Sequence, residues 1–132
     1  MRGLQLTLTV DDFNLLLDYL SNGELSEFNR SKLYQELKDC RIVNKECLPL
    51  NVVCRNAKVV VWNMDKRHTY TVTIVMPEAA DVKENKIAIT DPVAIALLGY
   101  ATGAVTEWEM PSGVNRLKII SVSQLDADSV CL

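Results

Sequence analysis

The stretch "SNGELSEFNR", residues 21–30, places two carboxylates three residues apart, Glu24 and Glu27. Carboxylates presented together can hold a hard divalent cation and orient a water for hydrolysis. The same two residues also fit the start of a helix, where acids are favoured by the macrodipole by roughly 0.3–1 kcal/mol each. Other candidates for chemistry are sparse. There is one histidine, His68, in a polar turn beside Lys66 and Arg67, with no carboxylate or nucleophile arranged near it in sequence. The four cysteines, Cys40, Cys47, Cys54 and Cys131, form no C-x-x-C pair, so they read as buried thiols and not as a zinc site. Trp62 and Trp108 read as sheet or core residues.

The elements around these residues follow from periodicity. Leu4, Leu6, Leu8 and Val10 alternate, as in a short strand or extended arm. Thr9 with Asp12 three residues on makes a capping-box-like start, and Phe13, Leu16, Leu17 and Leu20 form one apolar helix face. Asn22-Gly23 is expected to stop that helix with glycine in the left-handed conformation. Ser26 caps a second helix, along which Phe28, Leu33, Leu37 and Cys40 form an imperfect stripe, with Lys32 and Glu36 paired on its outer face. Pro49 makes Leu48 extended. Beyond it the signals are β: strands over residues 57–62 and 69–76, a turn over 63–68, a polar connector over 77–85 and a short strand over 86–90. Asp91-Pro92 is a favoured N-cap and first turn for a short helix that Gly99 closes. A strand over 104–110 carries Val105 and Trp108 out of phase, a sign of a bulge or an edge. "PSG" turns the chain into a last strand over 117–122, and the tail after it reads as frayed. The pattern is α+β, with a short helical hairpin over residues 1–47 and a twisted antiparallel sheet with one short helix over 48–132.

Bulk properties narrow the function. The 132 residues suit one ordinary domain or a small domain with an appendage, and 48% apolar residues suffice for a core. The net charge of −3 is spread evenly, −2 over residues 1–47 and −1 over the rest. No basic face is evident, so direct sequence-specific nucleic-acid binding is not expected. "MRGLQLTLTV" lacks the apolar core of a signal peptide, and no run approaches the roughly 20 residues of a membrane span. The expectation is a soluble cytoplasmic protein without a membrane partner.

The segment "EAADVKENKIAITDPVAIALLGYATGAVTEWEMPSG", residues 78–113, resembles the C-terminal domain of bacterial Gre transcription elongation and cleavage factors. The matching residues are Ala80-Asp81, Lys83, Lys86-Ile87, Asp91-Pro92, Ala96-Leu97-Leu98-Gly99, Gly103-Ala104-Val105 and Pro111-Ser112-Gly113, and the likeness extends from about Val52 to Val122. The resemblance implies a fold like that of the FK506-binding proteins. It also implies docking on RNA polymerase near the secondary channel, with the loop Ile89, Thr90, Asp91 and Pro92 gripping the polymerase rim. The hairpin departs from the family pattern. Helices of 11 to 18 residues extend roughly 17–27 Å, far less than the Gre coiled coil. A short coiled coil on a Gre-like domain is instead similar to the Rnk proteins, regulators of nucleoside diphosphate kinase.

In Gre factors the coiled-coil tip reads Gly-Asp-Leu-x-Glu-Asn. Here it reads Gly23-Glu24-Leu25-Ser26-Glu27-Phe28, with the first acid changed to Glu and a phenylalanine in place of a polar residue. By resemblance, Glu24 and Glu27 are a candidate acidic tip that would hold a Mg²⁺ only at the polymerase active site. The free protein is expected to need no metal or cofactor. The expected function is that of a polymerase-binding accessory factor modulating elongation, not an enzyme, which does not stimulate transcript cleavage. Two readings stand beside it: a peptidyl-prolyl isomerase, from the shared fold, and a generic protein-interaction module. Incomplete burial of two short helices leaves room for a homodimer.

Overall fold

Alternation dictates most of the chain beyond the hairpin. In β3, Ala57–Asn63, the side chains of Ala57, Val59, Val61 and Asn63 are buried while Lys58 and Trp62 face outward, as in a sheet packed on one face. The computed structural model describes residues 5–125. Within them β3 is the centre of a five-stranded sheet completed by β4 (His68–Val75), β5 (Lys86–Ala88), β6 (Val105–Met110) and β7 (Gly113–Gln124), in the order β5-β4-β3-β7-β6. The pairings β3–β4, β3–β7 and β6–β7 are antiparallel, and the short β4–β5 pair is parallel. The fold is α+β, as expected. The phase problem around Val105 and Trp108 has its cause in position: β6 is an edge strand, with Trp108 buried and Val105 exposed. The bulge itself lies elsewhere, between Val60 and Val61 opposite β7.

The connections are built from side-chain caps. In the β3–β4 turn the Asn63 side-chain oxygen Oδ1 accepts from the backbone N–H groups of Asp65 (3.1 Å) and Lys66 (2.9 Å), and Arg67 takes φ 57°. This local side-chain turn frees the chain to reverse. His68 is not in the turn: it begins β4 and stacks on Tyr70 with centroids 5.3 Å apart. The tail also departs from expectation. Ser123 and Gln124 remain paired in β7, and the Gln124 amide donates to the carbonyls of Pro49 (2.8 Å) and Val52 (2.9 Å). Residues 126–132, with Cys131, lie outside the described residues. Of the other cysteines, Cys40 and Cys54 are half-buried, but Cys47 is exposed, against the expectation of burial.

The hairpin consists of α1, Val10–Asn22, and α2, Glu27–Lys38. Thr9 caps α1 by accepting from the Asp12 N–H (3.2 Å), and Ser26 caps α2 by accepting from Asn29 (3.1 Å). Two short strands, β1 (Thr7–Thr9) and β2 (Arg41–Val43), pair in parallel and clamp the hairpin's base. The hairpin does not stand clear of the sheet. Leu6, Leu8, Leu16, Leu33 and Leu37 belong to one buried cluster with Val59, Val61, Ile74, Leu97, Leu117 and Ile119. Two 12- to 13-residue helices gain little from propensity alone, so this shared core holds them. An ion pair reinforces it: Arg55 Nε lies 2.8 Å from Asp12 Oδ1, and Asp12 is 1% exposed. Among the described residues no helix is long and apolar enough to cross a membrane.

The short helix α3, Pro92–Leu97, starts as the sequence predicts. Asp91 accepts from the Val93 N–H at 2.9 Å, and Pro92 occupies the first turn. Gly99 follows it at φ +88°, and a Cβ there would sit 2.8 Å from Leu8 Cδ2 and 3.1 Å from Leu6 Cβ. The glycine therefore serves both chain direction and the close approach of β1. Gly99→Ala should destabilise the fold by roughly 2–4 kcal/mol, combining backbone strain with overpacking. Urea unfolding should read this as a lower midpoint with an unchanged slope.

Candidate functional site

The tip of the hairpin is residues 23–26. Gly23 has φ −79° and ψ 161°, an extended conformation and not the left-handed one expected. Its need is proximity. The Gly23 N–H donates to the Tyr19 carbonyl at 2.7 Å, and a Cβ would lie 2.6 Å from that oxygen and 3.0 Å from the Tyr19 ring. The last turn of α1 carries no basic residue of its own. Arg30 supplies one from α2, donating from its guanidinium to the carbonyls of Leu20 and Gly23, the latter at 3.3 Å. A cation at the carbonyl end of a helix is favourable, and here it also pins the tip loop.

Asn29 then ties the hairpin to the sheet. Its Nδ2 donates to the Glu109 carbonyl at 2.9 Å, and its Oδ1 accepts from the Glu109 N–H at 2.7 Å. The amide thus takes the place of a neighbouring strand on the open edge of β6. This brings the tip down onto Pro92 and the β6–β7 turn. Between them lies a groove of about 340 Å³, whose walls include Tyr19, Glu24, Leu25, Pro92, Met110 and Pro111. Burial raises the Tyr19 phenol above its ordinary 10.0, and the negative charges of Asp91 and Glu24 raise it further. The two features the sequence marked separately, acidic tip and Asp91-Pro92 loop, therefore meet around one tyrosine.

They do not meet as a carboxylate pair. Glu24 is exposed in the loop beside the groove, whereas Glu27 is the first residue of α2 and lines a separate shallow depression with Phe28, Ser31 and Lys32. Of the expected docking residues, Thr90 and Pro92 are exposed and Asp91 is half-buried. Ile89 is 0% exposed and its N–H donates to the Val75 carbonyl at 2.7 Å, so it anchors the loop from the core. A second groove of about 340 Å³ opens beyond Asp91 over His68, Tyr70, Val72 and Val93, and shares Met110 with the first. Among the described residues no three of His, Cys, Asp and Glu are grouped to hold a metal.

Lys32 and Glu36 were expected on the outer face of α2, and the structure places them inside. They form a 2.5 Å ion pair with side chains 17% and 18% exposed. Lys32 donates to the Tyr100 hydroxyl at 2.7 Å, and that hydroxyl donates to Glu36. The ammonium lies 5.1 Å from the Tyr100 ring centroid and 5.9 Å from that of Trp108. Burial pushes Lys32 below its ordinary 10.5, partly offset by Glu36; burial pushes Glu36 above 4.5, partly offset by Lys32. Tyr19, Asn29, Arg30 and Tyr100 were not picked out from sequence. For Asn29 a signal existed, since it lies four residues before Leu33 and eight before Leu37.

Comparison with known proteins agrees with this layout. A family described as "Transcription elongation factor, GreA/GreB, C-term" matches residues 48–124. The chain is 33% identical over 100 residues to a transcription elongation factor GreA of Amoebophilus asiaticus, covering 76% of this chain and 64% of that protein. It is 29% identical over 114 residues to a GreA of Thermoanaerobacter pseudethanolicus, covering 80% and 73% respectively. The chain thus spans less than two thirds of the first of these relatives. A solved structure of a prokaryotic transcription elongation factor GreA/GreB from Nitrosomonas europaea superposes with a TM-score of 0.62 at 32% identity. The superposition covers 92% of this chain and 99% of the neighbour.

The buried ion pair has a pH consequence. Glu36, raised in the fold, contributes stability present below its unfolded 4.5 and lost as pH rises through its folded value. Lys32, lowered in the fold, contributes stability present above 10.5 and lost as pH falls through its folded value. Both charges are therefore held at a cost near neutrality. Glu36→Gln should flatten the decline of stability as pH rises from about 4.5, measured by urea unfolding across pH. Glu36→Ala, which strands Lys32, should cost roughly 1–3 kcal/mol.

Proposed function

The chain belongs to the GreA/GreB family of transcription elongation factors, and on that premise we propose that it is an RNA-polymerase-binding regulator of the short, Rnk-like kind. It docks at the secondary channel through the surface around Thr90, Asp91 and Pro92, and modulates elongation in the bacterial cytoplasm. It acts as an accessory factor and does not stimulate transcript cleavage. The observation that carries this reading is the tip geometry. Helices of 13 and 12 residues give a hairpin of about 20 Å, and Asn29 holds its end against β6. Glu24 and Glu27 line different depressions. Cleavage by a borrowed Mg²⁺ needs two carboxylates presented together at the end of a long reach, and neither condition is supported here.

The test is a transcript-cleavage and elongation assay on halted complexes of bacterial RNA polymerase. The chain should bind, compete with a Gre factor and alter elongation without shortening transcripts. The Glu24→Ala, Glu27→Ala double variant should likewise release no shortened RNA. Cleavage present with the unmodified chain and lost in the double variant would refute the non-catalytic reading.

A further inference from the structure

We propose that the hairpin tip is itself part of the polymerase-docking surface, and that the groove between Tyr19, Glu24 and Pro92 receives an arginine-bearing segment of the partner. This inference rests on the docking reading above and extends it from the loop to the tip. The groove's walls are apolar at Tyr19, Leu25, Pro92, Met110 and Pro111. Its volume of about 340 Å³ suits one or two side chains. Its charge is of one sign. Glu24 is exposed in its wall, and the negative charge of Asp91 also acts on the Tyr19 phenol. Among the described residues no lysine, arginine or histidine lines the groove. The nearby cation on the hairpin, Arg30, is spent on the carbonyls of Leu20 and Gly23. A carboxylate beside a half-buried tyrosine ring, above aliphatic walls, suits a guanidinium on an aliphatic stem. The planar cation can stack on the ring and bond the carboxylate in a fork, which an ammonium cannot.

The geometry is also built in advance. Asn29 and Glu109, paired with each other, form part of the groove's wall, and Gly23 lets the tip loop pass close to Tyr19. A partner therefore meets a formed surface that needs little ordering, which favours affinity. Within this arrangement Glu24 is a recognition residue, and Glu27, on the other side of the α2 start, is not.

The experiment measures equilibrium binding of the full chain to purified bacterial core RNA polymerase as salt is varied. The variants are Glu24→Lys, Tyr19→Ala, Tyr19→Phe and Glu27→Gln, with thermal unfolding checking that each is folded. Glu24→Lys should weaken binding at least about tenfold at low salt, with the deficit narrowing as salt rises. Tyr19→Ala should weaken it by a similar factor, while Tyr19→Phe, which keeps the ring, and Glu27→Gln should stay within about twofold. Binding by folded Glu24→Lys and Tyr19→Ala equal to that of the unmodified chain overturns the tip's role and leaves loop docking standing. Failure of the unmodified chain to bind at micromolar concentration overturns both. Equal losses from Glu24→Lys and Glu27→Gln overturn the groove in favour of a general attraction by tip charge.

Discussion

The double hydrogen bond between the Asn29 amide and the Glu109 backbone is the contact on which the rest of the arrangement depends. β6 is an edge strand, and an open edge is both a cost and a hazard. A primary amide presents an N–H and its C=O side by side on one edge, so it can pair with the C=O and N–H of a single strand residue where no strand is available. The substitution also sets direction. With Asn29 fixed on Glu109, α2 must cross β6 at one point and in one rotation. Lys32 then falls over the rings of Tyr100 and Trp108, and Leu33 and Leu37 enter the core.

The polar contacts under the hairpin act in the same sense. Lys32 with Glu36 and Tyr100, and Asp12 with Arg55, remove charge from water and recover much of the cost through mutual attraction and hydrogen bonds. Such pairs contribute little net stability against apolar alternatives of the same shape. Their effect is to penalise other arrangements. Rotating α2 by one residue would carry Lys32 and Glu36 together away from the Tyr100 hydroxyl and the rings of Tyr100 and Trp108, whereas an all-leucine interface would tolerate the slip. The hairpin is short, with few contacts to choose its seating, and these groups make the choice.

Periodicity and turn chemistry made most of the sheet, α3 and both helix caps legible in the sequence, because those features depend on neighbours a few residues away. The errors share another origin. The apolar stripe of α2 was phased on Phe28, which is exposed, when the buried face runs through Asn29, Lys32, Leu33, Glu36 and Leu37. Three of those five side chains are polar, and their partners sit on strands and loops 64 to 80 residues away. A polar residue in an inward phase reads as an outward one until its partner is known. Gly23 was misread for a related reason: a glycine required for close approach to a carbonyl looks in sequence like one required for handedness. The acidic tip and the Asp91-Pro92 loop were both picked out, but their meeting at Tyr19 depends on how the hairpin lies on the sheet, which only tertiary contacts decide.

Hairpin length is therefore the variable that sets what the tip can do. Each added turn in both helices would carry residues 23–26 about 5.4 Å further from the base. One or two turns would lift Glu24 clear of Met110 and Pro111 and break the register that lets Asn29 reach Glu109. A long hairpin presents its end to whatever lies at a distance; a short one presents it to its own domain. At 13 and 12 residues the end lies level with the β6–β7 turn, so its carboxylate shares a surface with Pro92. On a common scaffold, a change of helix length alone is thus enough to move an acidic residue from a projecting position to one beside the docking loop, with no change in the residue itself.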